Sequence, residues 1–301
     1  MSKRLLFAIA VVLLITNIAT LIFWTGDKAA PVTIEDNKTE INPKKAVATI
    51  DGEEISFDEW IESLRGTYGK QELKAMIDRK IVDKLAKESD ITIDEKVIER
   101  EMALLTSMQG VMSAETLKDK EAAWKKDIEY RYQLEALLTE DTDIPEEELK
   151  SYYDIYKNQY NMSTTVQVSH IVVDTMETAE QVKQELDDGA SFELLAREYS
   201  LDEETKDEGG YMGYFVKNSQ FLPSGYYEHA AEMEEQTYSE PFQTDGGIAI
   251  IYFHRLLPEV TFTYEELKPY IKRELAMDKL NQNLVADPLW DKLEVDWVYE
   301  K

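Results

Sequence analysis

The sequence predicts an α+β protein: an N-terminal transmembrane helix, a mainly helical lobe, an inserted α+β domain, and a C-terminal helix and strand that return to the lobe. Three observations predict it. Leu5 to Trp24 is a run of 20 uncharged residues behind Lys3 and Arg4. Apolar residues recur at helical spacing from Phe57 to about Tyr160. Near Thr164 the period changes to two, and strand, helix, helix, glycine-rich loop and strand follow within about 90 residues.

The first run is long enough to cross a bilayer as a helix. Its bulky end, Leu21-Ile22-Phe23-Trp24, is unlike a small-residue cleavage site, so it reads as an uncleaved anchor, with a cleaved signal peptide as the competing reading. Basic residues before it and Asp27 after it place the N-terminus in the cytoplasm and the body outside. Residues 1–25 are thus the tip and anchor, contacting lipid through residues 5–24. Residues 26–45, with Pro31 and Pro43, read as a linker.

The lobe spans 46–164. Ala46–Ile50 and Glu53–Ser56 flank Asp51-Gly52, a pair suited to a tight hairpin turn. Ser56 and Glu59 have capping-box spacing, and Leu73, Met76, Ile77, Ile81 and Leu85 continue the helix behind them. Pro145 sits at the first turn of another helix, whose Tyr152, Tyr153, Tyr156 and Tyr160 read either as packing residues or as a client-binding rim.

The inserted domain spans 165–256. Val166, Val168, His170 and Val172 fall on one face of a strand and Gln167, Ser169, Ile171 and Val173 on the other. Helices Thr178–Leu186 and Ser191–Glu198, a loop Gly209–Gly213 and a strand Gly247–Phe253 complete it. In 257–301, Thr263 opens a last helix, and Leu293–Tyr299 alternates like a strand that would pair with the N-terminal hairpin.

Composition narrows the chemistry. With 61 acidic and 33 basic residues the formal charge is −28, which rules out nucleic acid as a partner and reads as a solvated acidic surface. There is no cysteine, hence no disulfide, thiol catalysis, thiolate metal site or cysteine-linked lipid. Three histidines do not suggest a metal centre, and no cofactor is implied.

Five segments in order, His170-Ile-Val-Val173, Gly189-Ala-Ser-Phe-Glu-Leu-Leu-Ala196, Ser200-Leu-Asp202, Gly209-Gly-Tyr-Met-Gly-Tyr-Phe215 and Thr244-Asp-Gly-Gly247, resemble the signature of the parvulin rotamases. With its helical lobe and C-terminal return, the exported chain resembles the PrsA/SurA group of foldases. The resemblance implies a peptidyl-prolyl cis-trans isomerase acting on unfolded or partly folded exported proteins with X-Pro bonds. Amide resonance sets that barrier at about 18–20 kcal/mol. A dry pocket lowers it by stripping water from the charge-separated resonance form.

The family's first-strand histidine matches His170, and its Cys/Asp position matches Asp202; the resemblance makes these the catalytic pair. Met212, Phe215, Phe221 and Tyr227 match the residues lining the proline pocket, with Pro223–Gly225 as an insertion. Where the family carries a second histidine on its last strand, this chain has Ala249. Two readings therefore stay open: a membrane-anchored extracytoplasmic isomerase, or a catalytically weak parvulin-like chaperone. His254, an odd number of residues from Ala249, falls on the opposite strand face, and His229 sits on a helix surface.

Overall fold

The computed structural model describes residues 32–34, 39–281 and 283–299. It is a mixed α+β architecture in two compact units, one of residues 1–77 with 296–301 and one of residues 78–295. The expected span Leu5–Trp24 lies outside the described residues. Among the described residues no helix is long and apolar enough to cross a membrane.

In the first unit, β1 (Val32–Ile34) pairs antiparallel with β2 (Thr39–Ile41), so the expected linker contains a short strand pair built on β-branched residues. β3 (Ala48–Ile50) and β4 (Glu53–Ile55) form the expected hairpin. Asp51 (φ 50°) and Gly52 (φ 91°) adopt the left-handed pair its turn requires. Helix α1 (Phe57–Glu88) follows, with the Glu59 amide donating to Ser56 Oγ at 3.2 Å. The expected strand at Leu293–Tyr299 does not form. Alternation makes an extended segment possible, but a strand needs a ladder, and among the described residues the β3–β4 sheet contains only its own two strands. Trp297 and Tyr299 pair their rings at 5.6 Å instead.

In the second unit the end of α1 buries Ile81, Val82, Leu85 and Ala86, and α2 (Glu95–Ser107), α3 (Ala114–Leu138) and α4 (Glu146–Tyr160) follow. Beyond the sheet domain, α8 (Tyr264–Leu280) returns to these helices, opened by a reciprocal capping box between Thr263 and Glu266. Its Ile271 and Leu267 are buried with Val97 and Leu149. The tyrosines of α4 take the packing reading. Tyr152 and Tyr160 both donate to the Glu274 carboxylate of α8, at 2.7 and 2.6 Å, and Tyr153 donates to the Phe262 carbonyl at 3.2 Å.

Between α4 and α8 lies a five-stranded antiparallel sheet. β6 (Tyr211–Val216), β5 (Thr165–Val173), β9 (Gly247–Leu257) and β7 (Thr237–Tyr238) follow in that spatial order, and β8 (Phe242–Thr244) also pairs with β9. Met162 and Val260 exchange two backbone hydrogen bonds of 2.8 Å, so the chain enters and leaves the sheet side by side. The alternation in β5 separates two cores. Ile171, Val173, Ile248 and Ile250 pack under α5 (Met176–Asp187) and α6 (Phe192–Tyr199). Val166, Val168, Val172, Ala249, Ile251 and Phe253 pack on the other face against α7 (Tyr226–Glu232). The expected glycine-rich loop is shorter than its five residues, because Tyr211, Met212 and Gly213 are already in β6.

Candidate functional site

His170 lies in the middle of β5, paired with Ile251 of β9, and is 5% exposed. Its strand loses β6 as a partner beyond Ser169, where Gly210 takes over: the His170 amide donates to the Gly210 carbonyl at 2.8 Å. Gly210 holds φ at +76°, and a Cβ there would stand 2.0 Å from the His170 carbonyl oxygen, so only glycine fits. One step further the segment after α6 takes the open edge. Leu201 N–H donates to the Val172 carbonyl at 2.8 Å, and Val172 N–H donates to Ser200 Oγ at 3.2 Å. That attachment carries the next residue, Asp202, over His170.

The contact is direct. His170 Nε2 and Asp202 Oδ2 are 2.7 Å apart. Thr205 Oγ1 donates to the same carboxylate oxygen at 2.6 Å and lies 3.1 Å from Nε2. On the other side of the ring, Nδ1 is 2.9 Å from the hydroxyl of Tyr226, which is 1% exposed. Burial lowers the His170 pKa below the ordinary histidine value, and the Asp202 carboxylate, which works the other way, does not reverse it. For Asp202, burial works upward but is outweighed by the hydrogen bonds from Thr205, His170 and the Glu204 amide, leaving its pKa lowered. The pair at neutral pH is therefore a neutral imidazole donating from Nε2 to a carboxylate. Burial, and then the Asp202 charge, push the Tyr226 phenol up, so it stays protonated.

Around this network an apolar wall forms. Met212 and Phe215 are three residues apart, which plain alternation would put on opposite faces. The pairing shifts between Val168 and Ser169, from Gly213 to Tyr211, and leaves Met212 as the extra residue of β6. This bulge lets both side chains pack on the Tyr226–Ala249 face, where half-buried Tyr227 joins them. Ala249 is fully buried. Phe221 is not gathered with them: it is 76% exposed, and the neighbouring Leu222 packs against the cluster.

His254 lies on the opposite face, its Nε2 2.8 Å from Ser169 Oγ, and His229 is exposed on α7, stacked on Phe242 at 4.0 Å. Among the described residues no group of three or more His, Asp or Glu side chains could hold a metal ion.

Three participants were missed in the sequence: Ser200, Thr205 and Tyr226. Thr205 had a signal, since a hydroxyl three residues after an Asp is within reach across one turn. Tyr226 was hidden by the insertion before it, which leaves the register of Tyr226 and Tyr227 undecided until α7 is placed.

Residues 144–269 match the family described as the PPIC-type PPIASE domain. The putative peptidyl-prolyl cis-trans isomerase YacD of Bacillus subtilis strain 168 is 36% identical over 256 residues, covering 85% of this chain and 86% of that protein. Foldase protein PrsA of Halalkalibacterium halodurans is 31% identical over 247 residues, covering 78% and 71%. Among solved structures, the peptidylprolyl isomerase PrsA from Bacillus cereus is 23% identical with a TM-score of 0.31, over 85% of this chain and 95% of that one.

Proposed function

This chain belongs to the PPIC-type peptidyl-prolyl cis-trans isomerase family of PrsA-like foldases, and from that premise we propose a membrane-anchored extracytoplasmic isomerase that uses His170 and Asp202 on exported clients. The observation that carries the reading is the 2.7 Å contact between a neutral buried imidazole and a carboxylate whose side chain is 26% exposed. Asp202 is the member of the pair that a substrate amide can approach. In a planar X-Pro amide the oxygen carries resonance charge, which falls as the bond twists. A carboxylate beside that oxygen therefore destabilises the planar state more than the twisted one. Each ~1.4 kcal/mol gained this way is tenfold in rate. Met212, Phe215 and Tyr227 supply the apolar wall for the proline ring, Ala249 lies behind it, and exposed Phe221 serves as an outer client contact.

The domain limits follow the same reading, with a parvulin domain at 165–256 inserted between a lobe of 46–164 and its completion in 257–301. The paired backbone of Met162 and Val260 and the docking of α4 on α8 support it. Residues 5–24 serve as the anchor, supported by their length and flanking charges. The mass of the protein extracted from membranes tests this, and loss of the first 24 residues would refute an uncleaved anchor.

A second reading, a chaperone with weak catalysis, is favoured by Ala249 and by the exposure of Phe221. A prolyl isomerisation assay on the full chain in detergent separates the two. We expect turnover that falls at least about tenfold in both His170→Ala and Asp202→Ala. Turnover indistinguishable from background in the unaltered chain would leave only the chaperone reading, measured by suppression of aggregation of a proline-free client.

A further inference from the structure

Ala249 poses a specific problem. It shares a sheet face with His170, and its methyl group can neither donate nor accept a hydrogen bond. A neutral imidazole has one N–H, and with Nε2 against the Asp202 carboxylate the proton belongs there. Nδ1 is then a buried lone pair that needs a donor, because an unpartnered buried polar atom is costly.

The donor comes from another element. Gly225, at φ +87°, turns the chain out of the Pro223–Gly225 insertion, and α7 begins with Tyr226. The Tyr226 ring packs in the same core as Ala249, edge-on to His170 with ring centroids 5.7 Å apart. Its hydroxyl is 2.9 Å from Nδ1 and has no other hydrogen bond among the described residues. A phenylalanine would fill the same apolar space, so the hydroxyl group is the part of the side chain that packing does not explain.

We propose that Tyr226 is the positioning residue of this site: donating from its hydroxyl to His170 Nδ1, it takes the place of the histidine absent at position 249 and holds His170 in the Nε2–H tautomer facing Asp202. At 1% exposure Tyr226 cannot touch substrate, so it acts through His170 alone. The inference rests on the reading of His170 as the site's histidine, but the tautomer itself can be measured whether or not the chain turns over.

The experiment uses the full chain in detergent with 15N-labelled histidine, whose three residues give few signals. In the unaltered protein, the His170 nitrogens should report a single Nε2–H tautomer with a hydrogen-bonded Nδ1. In Tyr226→Phe, the Nδ1 signal should move to its unbonded position and the tautomers should mix. Isomerase kcat should fall about tenfold, ~1.4 kcal/mol, while KM stays within about twofold. Replacing all tyrosines by 3-fluorotyrosine, which sharpens the phenol as a donor without removing it, should move the same signal the opposite way. That measurement also decides the matter if Tyr226→Phe does not fold. His170 signals that stay unchanged in both proteins would overturn the proposal. No turnover in the unaltered chain, together with the tautomer shift in Tyr226→Phe, would sink the isomerase reading and leave the hydrogen-bond assignment standing.

Discussion

His170 and His254 are buried on opposite faces of one sheet, 5% and 8% exposed, and burial lowers the pKa of both. Their surroundings differ in one respect. His170 has a partner for each ring nitrogen, a carboxylate on Nε2 and a phenol on Nδ1. His254 has Ser169 on Nε2, while its buried Nδ1 has no partner among the described residues. The comparison teaches that burial alone makes a histidine neutral, whereas two different partners also decide which nitrogen holds the proton. An oriented imidazole is what a site needs, and a merely neutral one is a stability liability.

The strongest way to break the comparison is to disturb both sides together. Gly210 abuts the His170 carbonyl, and its neighbour Tyr211 places its ring 6.1 Å from His254. Gly210→Ala should therefore cost roughly 3–5 kcal/mol, combining left-handed strain with overpacking. Urea unfolding measures it, and a loss below about 1 kcal/mol would mean the strand edge can move away at little cost.

The next test sharpens the electrostatic side. His254 is pushed down to about 4, by burial first and then by the Arg255 charge. Tyr211, Tyr252, Glu193 and Glu208 line a cavity of about 310 Å³ with it. An unfolded histidine titrates near 6.5. Between these values the unfolded chain binds the proton and the folded chain does not, so stability falls as pH drops from about 6.5 to 4 and levels off below. The loss from His254 should be on the order of 3 kcal/mol, with His170 adding in the same direction. The stabilisation from the Asp202 carboxylate is lost separately, at lower pH, because its pKa is lowered from an already acidic value. Thermal melting across this range would show it.

The smallest effect is the most discriminating. Replacing both members of the second pair, Ser169→Ala with His254→Phe, removes a buried hydrogen bond and an unpartnered nitrogen together. Stability at pH 7 should change by less than about 1 kcal/mol, and the drop between pH 6.5 and 4 should shrink to the part due to His170. If the drop keeps its full size in that double variant, His254 is not its source.

Much of the sheet domain was legible because period-two patterning is local. The two faces of β5 follow from alternation alone, and so does the separation of His254 from the Ala249 face. The start of helix α8 was legible at Thr263, and the structure adds the capping box that Thr263 forms with Glu266. The C-terminal strand was not, because alternation shows which residues share a face and says nothing about whether a neighbouring strand is free to pair. The tyrosines of α4 were ambiguous for a related reason: their partner Glu274 lies more than a hundred residues away.

The candidate site divides along the same line. His170 and Asp202 could be named from the ordered motifs that carry the family resemblance, whereas the Ser200–Leu201 attachment that brings them together spans nearly thirty residues and could not. The placing of Met212 beside Phe215 depends on a bulge, and that of Tyr226 on where the turn at Gly225 starts α7. By itself the sequence determined the strand periods, the helix starts, the acidic surface, the uncharged N-terminal run and the lack of a histidine at position 249. Only the tertiary structure decided what stands against His170 Nδ1, because a hydrogen bond between residues 56 apart depends on how α7 packs on the sheet and has no local periodicity to announce it.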